Sequence, residues 1–316
     1  MSFDDVAESE PVGGPADEPG DDALLTDRAL LSEPALFDVE GTSVAMPRHL
    51  SPSSANLFDQ CPRRWRHRYI ERLVEPPGEE ALVGTFAHRV LEVLLGEPPA
   101  RRTQERAKAI AREIWPETAN SADYRSLDLD EAASRAFRWK GWHAVAGLWT
   151  LEDPASIEVA ATERQVTAEI GGVPFLGVVD RIDRCADGLV VTDYKSGRAP
   201  SRRFEQAKLS QVLLYAAAVT AADGEAPVRA RLLYLGATII EADATDLAVS
   251  EAVTALRATW DLLREAASAD RFDPKPGPLC GWCPYASTCD EGLAELRQRY
   301  DQGRLRTDAP AAALVA

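Results

Sequence analysis

The chain has 316 residues, of which 45% are hydrophobic and 27% charged, so it has the composition of an ordinary soluble globular protein with a sizeable core. No apolar run is long enough for a membrane span, and the first residues lack the basic flank and apolar stretch of a secretory signal. We therefore expect a cytoplasmic protein without a membrane partner. The net charge of −16 argues against a uniformly basic nucleic-acid binder.

Most of this charge is concentrated at the N-terminus. Residues 1–45 hold twelve acids and one arginine, and so carry −11 of the total. The same segment is rich in proline and glycine and poor in aromatics, which predicts an acidic disordered tail. The remaining chain is only mildly acidic, and a local basic patch in it can still bind phosphate.

Periodicity then predicts an α/β fold. Helical patterns begin near residue 51 and continue to about residue 150. After Pro154 three alternating stretches separated by glycine-containing turns indicate a β-meander. A helix, further strands, a helix over 246–268 and a cysteine-rich segment follow. No phosphate-binding GxxxxGK[ST] loop occurs, so this chain is not an ATP-driven motor.

Two strands of the meander end in acidic residues. "FLGVVDRID" reaches Asp180, and "LVVTDYKSG" reaches Asp193, with Lys195 on the same face of its strand. We expect the aspartates to meet only if the first strand bends or the register is asymmetric, since a hairpin sets the end of one strand beside the start of the other. Paired carboxylates suit Mg²⁺, and a lysine can orient water or stabilise phosphoryl charge, so this set suffices for phosphodiester hydrolysis. A surface ion pair is the commoner origin of such a pattern, and Asp183 is a competing carboxylate.

The cysteines suggest a metal site. Three lie in "CGWCPYASTC", at Cys280, Cys283 and Cys289, and Cys61 precedes the first of them by 219 residues. An odd total of five without a secretory signal argues against disulfides. A tetrahedral thiolate site needs a fourth ligand, for which Cys61 is the best candidate. Zn²⁺ at these thiolates and free cysteines remain alternatives, and Cys185 is assigned to packing.

Five motifs, in order, resemble those of the RecB-like branch of the PD-(D/E)XK nuclease superfamily. They are "SPSSANLFDQCPRRWRHRYI", "GTFAHRVLE", "GVVDRID", "DYKSG" and "QVLLYA". The resemblance covers about residues 51–290 and implies an α/β restriction-endonuclease-like core with a helical N-terminal region and a C-terminal cysteine clasp. We accordingly expect a nuclease domain over 46–303, with a helical insertion at about 100–150, and a flexible C-terminal tail over 304–316.

The resemblance also implies the roles of the site residues. The groups that would bind Mg²⁺ or Mn²⁺ are the side chains of His88, Asp180 and Asp193 and the main-chain carbonyl of Tyr194. Lys195 would be the catalytic lysine, acting with the two aspartates. Gln211 and Tyr215 share a helix face, where they would support catalysis and contact DNA. His88 taken alone would more often be a core histidine. Glu163 is a secondary candidate, either an acid near the metal or a solvated strand carboxylate.

One distant cysteine followed by C-x2-C-x5-C is similar to the iron–sulfur subgroup of this branch. AddB-type helicase–nuclease subunits and a CRISPR-associated adaptation nuclease share that arrangement. The resemblance implies a structural 4Fe-4S cluster that joins the N-terminal helix to the C-terminal segment. Its ligands would be Cys61, Cys280, Cys283 and Cys289.

Two basic segments carry the expected nucleic-acid contacts, because arginines neutralise phosphates and aromatic rings stack on unpaired bases. The residues that we expect to bind nucleic acid are Arg63, Arg64, Trp65, Arg68, Arg202 and Arg203. In the alternative interpretation, half of these arginines merely solvate a helix while Trp65 and Tyr69 pack inward.

Taken together, these features predict a metal-dependent DNA nuclease, an exonuclease acting on single-stranded DNA or DNA ends in repair or recombination. Its expected partners are DNA and a helicase or repair complex. The alternatives are a non-catalytic DNA-binding or scaffold subunit of a helicase–nuclease complex, and a zinc-stabilised interaction module.

Overall fold

The structure is a computed structural model that describes residue 41 and residues 43–316. The predicted acidic tail over 1–45 therefore lies almost wholly outside the described residues. The chain divides into two compact units. We call Pro77–Ala255 the sheet unit, and the described residues up to Pro76 together with Leu256–Ala316 the cysteine unit. The segment 46–303, expected as one domain, contributes to both units.

The sheet unit contains a five-stranded sheet with the strands in chain order. Its strands are β1 (Val159–Ile170), β2 (Val173–Cys185), β3 (Gly188–Lys195), β4 (Pro227–Tyr234) and β5 (Thr238–Asp243). The first three strands form the predicted antiparallel meander, β4 runs parallel to β3, and β5 is antiparallel to β4. The predicted α/β class is confirmed.

Nine α-helices lie in the described residues. They are α1 (Pro52–Gln60), α2 (Pro62–Tyr69), α3 (Glu79–Leu95), α4 (Gln104–Asn120), α5 (Ala122–Ser126), α6 (Glu131–Ala146), α7 (Arg202–Asp223), α8 (Asp246–Ser268) and α9 (Asp290–Asp301). The expected insertion at 100–150 forms α4 to α6, and the side chains of Thr103, Ser121 and Asp130 cap their N-termini. None of the described helices is both long and apolar enough to cross a bilayer.

Local sequence explains why the sheet forms where it does. Gly171 and Gly172 turn the chain from β1 to β2 with φ of +58° and +78°, a conformation that glycine adopts without steric cost. Every residue of β3 after Gly188 is buried. Burial on both faces is typical of a strand at the centre of a sheet that helices cover on either side.

Two helices cover opposite faces of β3. Tyr194 packs in the same core cluster as Phe86 of α3. Its neighbours Asp193 and Lys195 instead contact Gln211 of α7. Because successive side chains of a strand point to opposite faces, α3 and α7 lie on opposite sides of the sheet at this point. Polar groups from both helices can therefore reach the end of β3.

The cysteine unit has a core of its own. Trp65 of α2 is 1% exposed, and its ring stacks on Phe272 with centroids 5.9 Å apart. The indole N–H donates to the hydroxyl of Ser54 at 2.8 Å, so the polar atom of this buried ring is hydrogen-bonded. These contacts join α1 and α2 to the segment that follows α8.

The last residues pack against this unit. Residues 304–316 were expected to be a flexible tail, but Pro310–Leu314 forms a 3-10 helix. Ala311 is buried in a small apolar cluster with Ala286 and Leu296. These short apolar side chains have a partner surface within the cysteine unit, and the flexibility of the tail stays a prediction.

Candidate active site

The strands β2 and β3 separate at the site. Their antiparallel ladder ends with the pair Arg181 and Thr192. The next position sets Asp180 across from Asp193, because both are equally far from the hairpin turn. The expectation that a bent strand or an asymmetric register is needed was therefore wrong. Beyond this point β2 continues beside β1 and β3 beside β4, so the two aspartates stand at a fork in the sheet.

One side of the fork gathers three potential metal ligands. One ligand atom from each of His88, Glu163 and Asp180 lies within 4.8 Å of the other two. His88 Nδ1 is 3.4 Å from Asp180 Oδ1, and both side chains are buried. The main-chain N–H of Tyr194 donates to Asp180 Oδ2 at 2.6 Å, which fixes the carboxylate. An imidazole with two carboxylates is a donor set that fits a divalent cation such as Mg²⁺ or Mn²⁺.

Glu163 enters this group through the register of β1. The residues on either side of Glu163 pair with those on either side of Asp180, so the two carboxylates lie opposite each other. Glu163 has φ of +45°, an uncommon conformation for a residue with a side chain. Burial, together with the charge of Asp180, raises the pKa of Glu163 to about 8. A buried acid and a half-buried acid this close favour binding of a cation, because the cation offsets both their mutual repulsion and the cost of removing their charges from water.

The other side of the fork is a hydrogen-bonded network around Lys195. Its Nζ lies 2.8 Å from Asp193 Oδ2 and donates to Gln211 Oε1 at 3.4 Å. Gln211 Nε2 lies 3.3 Å from Asp193 Oδ1 and 3.3 Å from the hydroxyl oxygen of Tyr215. The structure thus brings together Asp193, Lys195, Gln211 and Tyr215, as the motifs predicted. Lys195 and Asp193 are buried, which strengthens their mutual attraction relative to a surface pair.

A buried arginine next to Asp180 on β2 stabilises the strands at the fork. Arg181 is fully buried, and it donates to the hydroxyl of Tyr194 at 2.9 Å and to Glu152 at 2.5 Å. Its Nε contacts Asp183 at 2.8 Å. Asp183, the competing carboxylate, is therefore paired with Arg181, and it is Asp180 that joins the group with His88. The contact with Tyr194 also helps to hold the main chain that binds Asp180.

The four cysteines expected to bind a cluster all lie in the cysteine unit. Burial raises the pKa of the Cys280 and Cys283 thiols, in the latter case to about 11, and the nearby thiolate of Cys61 adds to both shifts. Cys289 adds to the shift of Cys280. The four cysteines therefore lie in one region of the cysteine unit, although they come from opposite ends of the described chain.

Main-chain amides point at two of these sulfurs. Gly277 N–H donates to Cys280 Sγ at 3.5 Å, and Gly292 N–H donates to Cys289 Sγ at 3.3 Å. A Cβ at Gly292 would lie 3.3 Å from Cys289 Sγ and 3.9 Å from Cys280 Sγ, so glycine leaves room beside both sulfurs. Amide donors stabilise thiolates, and four thiolates fit either a tetrahedral metal ion or an iron–sulfur cluster.

Trp65 does not offer a face to nucleic acid. Phe272 covers it in a stacked arrangement, and Tyr69 lies against it with ring centroids 5.4 Å apart. Trp65 and Tyr69 are each 1% exposed. The prediction of base stacking at Trp65 does not fit the structure, whereas the alternative in which both aromatics pack inward does.

The arginines predicted to bind nucleic acid fall into two groups. Arg64 and Arg68 both pair with Glu75, and Arg63 pairs with Glu291 at 2.6 Å. In contrast, the side chains of Arg202 and Arg203 are exposed at the start of α7. The first group is therefore already bound to acids within the cysteine unit, whereas the second group follows Lys195 in the sequence and is exposed.

Comparison with known proteins agrees with this geometry. The sequence model of the PD-(D/E)XK nuclease superfamily matches residues 49–290. The chain therefore belongs to the PD-(D/E)XK nuclease superfamily, a class of nuclease hydrolases, and its mixed α/β sheet is consistent with the core of that class. The resemblance at this level is confirmed. No curated protein matches the chain significantly.

Proposed function

We propose that the protein is a metal-dependent DNA exonuclease of the RecB-like branch that acts on single-stranded DNA or DNA ends during repair or recombination, together with a helicase or repair complex. The fork in the sheet is the observation that carries this proposal. It sets the His88, Glu163 and Asp180 group across from the Asp193 and Lys195 pair. A purely structural ion pair between Asp193 and Lys195 does not require a group of potential metal ligands across from it.

Each residue of the fork has a part in this chemistry. His88, Glu163, Asp180, Asp193 and the carbonyl of Tyr194 would hold Mg²⁺ or Mn²⁺. When bound, the cation supplies positive charge that polarises the phosphodiester and lowers the pKa of a nearby water. The ammonium of Lys195, fixed by Asp193 and Gln211, contributes charge beside the reacting phosphate and orients the attacking water.

Digestion of end-labelled DNA tests the catalytic assignment. We expect the Asp193→Asn protein to degrade single-stranded DNA at least about 100-fold more slowly than wild type in Mg²⁺ or Mn²⁺, because preorganised charge at a transition state has an effect of that order. Asp187→Asn is the matched control, since Asp187 is exposed at the turn of the same hairpin. Equal rates for wild type and Asp193→Asn contradict the assignment.

The form of the substrate tests the finer proposal. An exonuclease degrades linear single strands and leaves circular single-stranded DNA intact, whereas an endonuclease cuts both. A duplex with frayed ends and an RNA of the same sequence complete the comparison. Binding of DNA without cleavage by wild type, in either metal, would instead support a non-catalytic subunit.

We further propose that the four cysteines hold a 4Fe-4S cluster. Two main-chain amides donate to Cys280 Sγ and Cys289 Sγ, and such donors favour thiolates over thiols. Four cysteines within one unit match the number of ligands that a 4Fe-4S cluster takes.

Elemental analysis of freshly purified protein distinguishes the two metals. We expect iron, acid-labile sulfide and visible absorption in wild type, and loss of all three in Cys283→Ser. Cys185→Ser is the matched control, because Cys185 is exposed and lies in the sheet unit. Stoichiometric zinc without visible absorption contradicts the cluster.

A further inference from the structure

The segment that follows Lys195 forms an exposed basic surface. Its cationic side chains, all exposed, are those of Arg198, Arg202, Arg203 and Lys208. Within the part of the chain that the structure describes, none of the four forms an ion pair with an acid. The arginines of α2 differ, since Arg63, Arg64 and Arg68 are paired. In a chain with a net charge of −16, such a surface selects for an anionic ligand.

A large aromatic side chain lies within this surface. Phe204 is 54% exposed, and the guanidinium of Arg203 lies 5.6 Å from its ring centroid. Among the described residues of the sheet unit, Phe204 is the exposed large aromatic, and Leu247 is the other large hydrophobic side chain with comparable exposure. An exposed ring surrounded by cations suits a ligand that combines negative charge with flat apolar faces.

The position of Phe204 on α7 relates it to the catalytic pair. Phe204, Lys208, Gln211 and Tyr215 follow one another at spacings of four, three and four residues, so they form one stripe along the helix. The stripe runs from buried Tyr215, through Gln211 beside Lys195, to exposed Lys208 and Phe204. Seven residues of helix place Phe204 about 10 Å along the axis from Gln211.

We infer that Phe204 stacks on an unpaired base of the substrate, while Lys208 and the neighbouring arginines contact the backbone of the strand between that base and the catalytic pair. This inference rests on the proposed nuclease function. Phosphates complement the cations, and any base offers a face for the ring. Bases inside a duplex are already stacked on each other, so this contact favours single strands and frayed ends.

Equilibrium binding of a labelled single-stranded oligonucleotide tests this inference, with a chelator present to prevent cleavage. We expect Phe204→Ala to weaken binding about fivefold to 100-fold, the usual range for one base–aromatic stack. Phe204→Trp should retain affinity. Leu247→Ala is the matched control and should bind as wild type does. Lys208→Ala should reduce the slope of log affinity against log salt by about 0.7.

Abasic sites placed one at a time along the oligonucleotide locate the stacked base. At one position the abasic site should weaken wild-type binding as much as Phe204→Ala does, and should not weaken binding by Phe204→Ala any further. Wild-type affinity in Phe204→Ala, or independent effects of the two changes at every position, overturns the inference while the nuclease proposal stands. If wild type neither binds nor cleaves DNA, the proposed function fails and the stacking contact fails with it.

Discussion

Glu163 couples the stability of the metal-free protein to pH. Its pKa is about 8 in the folded chain against an ordinary 4.5, because it is buried beside Asp180. The folded state therefore keeps a proton that the unfolded state loses as pH rises. Because the pKa of Glu163 is raised, its contribution to the free energy of unfolding is fully favourable below about pH 4.5. This contribution is lost as pH rises to about 8, a change of up to a few kcal/mol.

We expect Glu163→Gln to flatten this part of the stability profile and to weaken the stabilisation that Mn²⁺ gives to wild type. Thermal unfolding between pH 4.5 and 8, with and without Mn²⁺, measures both effects. Glu169→Gln, an exposed carboxyl on the same strand, should change neither. A profile of Glu163→Gln that remains as steep as that of wild type contradicts the buried acid pair.

Gly177 is required by the ring of Tyr215. A Cβ at Gly177 would lie 2.6 Å from the nearest ring carbon of Tyr215 and 3.0 Å from Phe175. We expect Gly177→Ala to cost about 1–3 kcal/mol of unfolding free energy, as overpacking does, and to slow cleavage because Tyr215 bonds to Gln211.

Urea unfolding and initial rates of DNA digestion measure these two effects. Gly197→Ala is the control for stability, since a Cβ at Gly197 meets nothing within 4 Å. If Gly177→Ala proves as stable as Gly197→Ala, the ring of Tyr215 is not held against β2 as described.

The resemblance to family motifs was enough to single out His88, Asp180, Asp193 and Lys195, because these residues lie in short motifs, and their roles stay predictions. Glu163 could be given only a secondary place. Its proximity to Asp180 depends on the register between β1 and β2, and a single sequence does not state how two strands align.

At the scale of elements, the β2–β3 hairpin depends on one buried charge. Arg181 bonds to Glu152, Asp183 and Tyr194 without solvent exposure. We expect Arg181→Met to lose about 3–5 kcal/mol of unfolding free energy, because it removes the cation bonded to buried Asp183, while Glu152 keeps only its pair with Arg231 at 3.4 Å. Denaturant unfolding measures this loss.

Arg184 provides the matched control on the same strand. It pairs with Glu225, but both side chains are about half exposed. We therefore expect Arg184→Met to cost at most about 1 kcal/mol. Similar losses for the two variants would show that burial does not decide the strength of these pairs.

The strands were predictable as elements because their apolar residues alternate and glycines mark the turn between β1 and β2. The parallel pairing of β3 with β4 was not, since periodicity describes a strand and says nothing about its neighbour. Similarly, Trp65 and Tyr69 are four residues apart on α2, a spacing that fits both a buried face and an exposed one. Only the contacts with Phe272 and Ser54 distinguish the two.

At the scale of the whole molecule, the two units predict selective proteolysis. We expect trypsin to cleave Cys283→Ser within the cysteine unit while the sheet unit, Pro77–Ala255, stays intact. The reason is that the four proposed cysteine ligands all lie in the cysteine unit. Mass spectrometry of the fragments measures this, with Cys185→Ser as the control. Equal cleavage of both units in Cys283→Ser contradicts a structural role for the cysteines.

The division into two units was beyond the reach of the sequence. The chain leaves the cysteine unit near Pro76 and returns to it near Leu256, so the unit is assembled from segments far apart in sequence. The order of the motifs indicated one domain, because the motifs are spread over both units and no change in composition separates them. Contacts such as that between Thr259 and Asp59 arise only in three dimensions.

The separation of Cys61 from Cys280, Cys283 and Cys289 has a consequence for biosynthesis. A ribosome delivers Cys61 early and the other three late, with the entire sheet unit between them. Chains that stop after the sheet unit contain only Cys61 and lack the other three cysteines of the proposed ligand set. If the proposed cluster binds these cysteines, its assembly would therefore have to wait until translation has passed Cys289.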